Sequence, residues 1–217
     1  MKRFEFNIIP SVLNTFFPTY RIKTKQQIIT ILLEAVRYSL SYEIIKNKKS
    51  DGKIVLVVDK MSRLFFQSET KCYSISFPFL VTDVQGKVVY SYDNTTIDSY
   101  LISNLLSAVS NDSFMDGCSI DFSESLIDFE SESEVFWKIL RELLLFEEGY
   151  VRYDYDVTGY EEAKQKGSEH RHPLNHCDFN YSNKANFKVG LVGKIDLDEF
   201  IDILNIRTEC KYLKNWR

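Results

Sequence analysis

No stretch of this chain carries apolar residues over the roughly 18 consecutive positions that a membrane-spanning helix requires. The opening MKRFEFNIIPSVLNTFFPTY begins basic, yet Glu5, Asn7 and Pro10 interrupt any signal-peptide core. Cysteine is sparse as well: Cys72, Cys118, Cys177 and Cys210 stand far apart, with no C-x-x-C pair to spell a zinc knuckle or redox motif. Without a leader they read as reduced thiols, and the expected setting is the bacterial cytoplasm with no membrane anchor. Glycine (8) and proline (4) are too few for a fibrous or low-complexity chain. No phosphate loop is spelled out, because Gly190 and Gly193 lack both a third glycine and a Lys-Ser/Thr partner. A nucleophile elbow is also missing. Nor is positive charge in excess: 27 Lys and Arg against 31 Asp and Glu leave a net charge of −4, so nucleic acid would bind only at a local patch.

What the chain does have is apolar and aromatic substance. Its 217 residues are 44% hydrophobic and include 16 Phe and 13 Tyr, enough for one domain over 1–217 without metal or disulfide staples. Residues 1–22 read as an aromatic lead-in packed on the body. From 25 to 46, Ile28, Ile31, Leu32, Ala35, Val36, Leu40 and Ile44 recur at helical spacing, with Thr24 as N-cap. Strands are expected at 53–59, 63–67, 72–82 and 87–92, the last two joined by a turn at Asp83–Gly86. Pro78 demotes the middle of the long strand to an edge or bulge. A helix capped by residues 93–96 should run to about Ser110, followed by an acidic, Ser-rich segment at 111–131 expected to be flexible or partner-facing. A strong helix spans 132–147, a strand 149–156, a charged loop 157–171, strands 176–182 and 186–192, and a short helix 197–204. The expected fold is α+β: a mixed, mainly antiparallel sheet with three longer helices and a short C-terminal helix, and room for parallel crossovers.

The three histidines, His170, His172 and His176, fall within seven residues, next to Cys177 and Asp178 and after the strand bearing Arg152, Asp154 and Asp156. Imidazole titrates near neutrality, so such clustering suits acid–base or metal chemistry. Alternation along a strand places His176 and Asp178 on one face and turns Cys177 away, which argues against a Cys–His dyad. His172, His176, Arg152 and Asp154 are therefore candidate catalytic residues, and His170, His172, His176 and Asp178 candidate metal ligands. A purely structural cluster is the blander and favoured alternative, since neither a helical i, i+4 His pair nor paired knuckles are present.

Arg152-Tyr153-Asp154-Tyr155-Asp156, the charged stretch after it, His172-Pro173-x-x-His176 and the Phe200-Ile201 helix together resemble one uncharacterised bacterial family of unknown function. The likeness covers about the last 70 residues. Members of that family look like components of mobile-element and phage-defence loci. The resemblance implies that context, and it carries over Arg152, Asp154, His172 and His176.

A second constellation lies earlier. Restriction-type nucleases set an Asp and a Glu-x-Lys on adjacent strands, with a further Glu on the preceding helix, so that carboxylates hold a divalent ion beside a lysine. Glu34, Asp59, Glu69 and Lys71 occur in a compatible order, although Glu69-Thr70-Lys71 reads equally as an ordinary polar turn. The tail Lys211–Arg217 would stack on single-stranded nucleic acid or, as the preferred alternative, pack Tyr212 and Trp216 on the body.

Two functional classes stay open. One is an accessory or effector subunit of a bacterial phage-defence or mobile-element system, working through protein or nucleic-acid contact and needing no cofactor. The other is a metal-dependent nuclease or other hydrolase, with a divalent metal as its cofactor. Phe65, Phe66, Phe77 and Phe79 near a sheet edge would exceed what one core needs, which predicts a homo-oligomer or a complex with the product of a neighbouring gene.

Overall fold

The computed structural model describes residues 1–42, 49–60, 62–111, 127–129, 131–182 and 185–212. Its strands are β1 (Lys2–Ile8), β2 (Gly52–Val58), β3 (Arg63–Gln67), β4 (Lys71–Ser76), β5 (Leu80–Val84), β6 (Lys87–Tyr92), β7 (Thr95–Thr96), β8 (Val151–Tyr155), β9 (Asn175–Ser182) and β10 (Ala185–Gly190). Seven of them form one sheet in the order β1-β2-β3-β4-β8-β9-β10, and β5-β6-β7 form a small second sheet. Every neighbouring pair is antiparallel. The parallel crossovers allowed by the sequence do not occur among the described residues, because each helical insertion returns the chain beside its last strand in the opposite sense.

Alternation decides what each face of the large sheet does. Phe6, Ile8, Ile54, Leu56, Leu64, Phe66, Tyr73 and Ile75 share one face with the helices α2 (Lys25–Leu40), α3 (Ser99–Val109) and α4 (Glu134–Leu145) in the main core. Val55, Val57, Phe65, Cys72, Val151, Tyr153 and Cys177 point the other way and meet Leu197, Phe200 and Ile201 of α6 (Leu197–Ile203) in a smaller core. Covered on both sides, β2 reads as an unbroken apolar run. Phe65, Phe66, Phe77 and Phe79 are all buried within the chain, so the surplus aromatic surface expected from the sequence is not there.

Several local expectations change. The lead-in contains the edge strand β1 and a short helix α1 (Leu13–Phe16). The stretch 72–82 splits into β4 and β5 around Pro78, which has no N–H to give the ladder. Asp93 and Asn94, both at positive φ (47° and 61°), turn the chain into β7, and Asp98 rather than residues 93–96 caps α3 through the Leu101 N–H. Thr24 does cap α2, with Gln27 completing a capping box, and the helix stops at Leu40. Residues 43–48 and most of the acidic segment 111–131 lie outside the described residues. No helix among the described residues is long and apolar enough to cross a membrane.

Candidate metal centre

Beyond Tyr73 the helix-facing side of the sheet changes character. The register sets Arg152 of β8 opposite Asp178 of β9, and Lys188 of β10 opposite Asp178 in turn. One step along, Lys71 of β4 faces Asp154 of β8, which faces His176 of β9. Residues two apart on β8 and β9, with one residue each from β4 and β10, thus converge as a charged patch beside the apolar core.

Burial is nearly complete. His176 and Asp178 are 0% exposed and Asp154 6%. Arg152 donates through Nη2 to Asp178 Oδ2, and its Nε lies 2.8 Å from Asp154 Oδ2. Lys188 Nζ lies 3.0 Å from Asp178 Oδ1 and 2.6 Å from His176 Nε2. On its other side, His176 Nδ1 is 2.7 Å from the Pro173 carbonyl oxygen. A carbonyl only accepts, so the proton sits on Nδ1, and the Nε2 lone pair receives the Lys188 ammonium. Backbone-held Nδ1–H with Nε2 turned inward is how metal-ligating histidines are usually oriented.

The electrostatics agree with that tautomer. Burial pushes the His176 imidazole below its ordinary value; the Pro173 hydrogen bond opposes this and the Lys188 charge reinforces it. Burial alone would raise the Asp178 carboxyl, but the Lys188 and Arg152 cations outweigh it and hold the group below its usual range. With Arg152 and Lys188 positive, Asp154 and Asp178 negative and His176 neutral, these five groups balance formally; the more exposed Arg21 guanidinium adds a cation 3.9 Å from Asp178 Oδ2 at the rim. Arg152 Nε, Asp154 Oδ1 and Asp178 Oδ1 are enclosed without a hydrogen bond; the first and last stand within ion-pair distance of an opposite charge, and Asp154 Oδ1 is left over. Ligand atoms of Asp154, His176 and Asp178 all lie within 4.8 Å of one another, a spacing at which a small cation could bridge them.

Asp154 also lines an open cleft of about 410 Å³, together with Thr70, Lys71, Arg152, Asp156 and Thr158. The cleft's far wall is the start of α5 (Val157–Gln165), a helix where the sequence suggested a charged loop. Asp156 caps it, accepting the Gly159 N–H at 2.8 Å with Oδ1 while Oδ2 holds His172 Nε2 at 2.8 Å. Burial would raise the Asp156 carboxyl, but the Gly159 and His172 bonds lower it. The His172 and His176 rings stand 4.9 Å apart, edge to face.

The structure therefore brings together Arg152, Asp154, His176 and Asp178, with His172 one ring further out on Asp156. His170 is exposed, its side chain 89% so, in a 3-10 turn apart from the cluster. The earlier constellation is dispersed. Glu34 pairs with Arg37 on α2, and Asp59, beyond the end of β2, pairs with Arg207. Glu69 lies in the β3–β4 turn, beside the opposite end of β2, as the Lys53–Gln67 pairing shows. Only Lys71 joins the later cluster, across from Asp154. Cys177 lies in the smaller core, its thiol pushed up to about 11 chiefly by burial, and is no nucleophile. Tyr212 is 91% exposed and does not pack on the body, and Trp216 lies outside the described residues. Lys188 was the residue that sequence reading missed; a lone lysine inside Phe187-Lys188-Val189 was its signal.

No family model matches the chain, and neither does any curated protein or solved structure.

Proposed function

We propose that this chain is a divalent-metal-dependent hydrolase of phosphodiesters, serving as an effector in a bacterial phage-defence or mobile-element system. The observation that carries this reading is the convergence of Asp154, His176 and Asp178, fully or nearly buried, with a carboxylate oxygen of each aspartate, Asp154 Oδ1 and Asp178 Oδ1, lacking a hydrogen bond. Buried ion networks are poor stabilisers, since apolar side chains of similar volume usually serve as well or better. Their occurrence on a sheet face that is packed with apolar side chains over β1 to β4 supports a chemical role. A bound ion there would polarise a phosphoryl oxygen and acidify a water. Lys71 and Arg152, on the cleft side, would meet the negative charge of the substrate. The defence context comes from the family resemblance of the last strands.

The test is a nuclease assay on chelator-treated protein with Mg²⁺ or Mn²⁺ restored, on single- and double-stranded DNA and RNA. Cleavage should require the ion and fall at least about 100-fold in Asp178→Asn, a near-isosteric change, at unchanged secondary structure. A folded protein that takes up no metal and cleaves nothing would overturn it.

The second reading, an accessory subunit acting by contact alone, is favoured by β5. It is an edge strand with Leu80 (65%) and Val84 (49%) exposed on one side. The same assay separates the two, because a contact module would cleave none of the substrates, with or without the ion.

A further inference from the structure

We infer that Lys188 is a resident cation at the metal centre, which a divalent ion must displace in order to bind; the centre is closed by its own side chain. This deepens the metal-centre reading and rests on it. The Lys188 ammonium stands 2.6 Å from His176 Nε2 and 3.0 Å from Asp178 Oδ1, where an ion shared by those two donors would sit. It uses the imidazole lone pair, the one neutral ligand the cluster offers. Were an ion to enter with both Lys188 and Arg152 in place, the buried cluster would pass from charge balance to an excess of two positive charges, with little water to screen them. Removing Lys188 frees the imidazole lone pair and lowers that excess to one.

The lysine is placed to leave. Among the described residues β10 is the last strand of the sheet and has β9 as its single partner. The Lys188 side chain is 26% exposed, whereas the side chain of Asp178 beside it is fully enclosed. Arg152 is not exchangeable in this way, since it is held between two carboxylates on an interior strand. The displaced ammonium would reach solvent over the outer rim of β10.

Isothermal titration of chelator-treated protein with Mn²⁺ tests the exchange. Lys188→Met should bind at least about tenfold tighter than the wild type, with secondary structure unchanged. Equal affinities in the two proteins, both abolished by Asp178→Asn, would overturn the exchange and leave the metal centre standing. No binding by either protein would remove the centre and the exchange together. Should Lys188→Met fail to fold, the wild-type protein decides. Acetylation of Lys188 by an N-hydroxysuccinimide ester, read by mass spectrometry, should quicken about threefold or more at saturating Mn²⁺. An unchanged rate there overturns the proposal.

Discussion

At the scale of single residues, the two histidines of the His-Pro-x-x-His motif differ in kind. His176 is 0% exposed and satisfied at both nitrogens, by the Pro173 carbonyl and the Lys188 ammonium. His172 has one bond, to Asp156, and a side chain 29% exposed. Truncating His176 leaves a cavity, an unpaired Pro173 carbonyl and a Lys188 ammonium with Asp178 as its remaining partner, so His176→Ala should cost about 2–4 kcal/mol. His172→Ala should cost no more than about 1 kcal/mol, since a single partly exposed hydrogen bond contributes little. Urea denaturation of the two variants gives the ordering directly, and a larger loss at His172 would contradict the assigned geometry. Alternation alone placed His176 with Asp178 and turned Cys177 away. What the sequence left open was depth: nothing in His170-x-His172 distinguishes an exposed turn from a ring that packs on another imidazole. Lys188 escaped notice because one lysine in a short strand is ordinary until the neighbouring strand β9 is known to set Asp178 opposite it.

At the scale of elements, legibility followed the strength of the repeating pattern. β3 lies where its bounding residues put it, and the stripe of Phe136, Ile139, Leu140 and Leu143 marked α4. α5 was read as a loop because none of its residues is buried, so it shows no apolar period, and its start depends on one Asp156 cap. The β1 alternation of Phe4, Phe6 and Ile8 was in plain view, but Pro10 and the aromatic turns after it obscured the strand. Gly159 of α5 has a testable part in this. A Cβ there would lie 2.4 Å from His172 Nε2 and 2.5 Å from Asp156 Oδ2, so a methyl group must push the imidazole off its carboxylate. Helix propensity favours alanine over glycine by about 1 kcal/mol, so a site without this crowding should gain. Gly159→Ala is instead expected to lose about 1 kcal/mol net, because the methyl group strains the Asp156 cap as well as breaking the His172–Asp156 contact. Gly193→Ala, with nothing within 4 Å of its Cβ, is the control and should stay within about 0.5 kcal/mol of the wild type. Thermal melts of both variants check this; a Gly159→Ala protein more stable than the wild type would show that the crowding is absent.

At the scale of the whole molecule, the sheet has two kinds of interior on its helix-facing side. Over β1 to β4 that side is sealed by apolar packing, and over β8 to β10 it is held by charges. The apolar part is indifferent to pH, so the charged part should set how stability responds to acid. His176 faces Lys188, Asp154, Asp178, the Pro173 carbonyl and the His172 ring, and its imidazole is held below its ordinary value of about 6.5. As pH falls through about 6.5, the unfolded chain takes up a proton at this position before the folded one does. The unfolded state then binds more protons, and stability must fall with falling pH, by at most about 1.4 kcal/mol per pH unit for one group. Asp178 and Asp156 are also held low, so their contribution is complete above about 4 and is lost below it in the same direction. Calorimetry on chelator-treated protein should therefore show a melting temperature that is level above about pH 7, declines below about 6.5 and declines more steeply below about 4. His176→Gln, which carries no titrating group, should remove the upper step while leaving the lower one. A melting temperature that stays constant from pH 8 to 5, or that rises as the solution is acidified, would mean that the imidazole is not held neutral between Lys188 and Pro173.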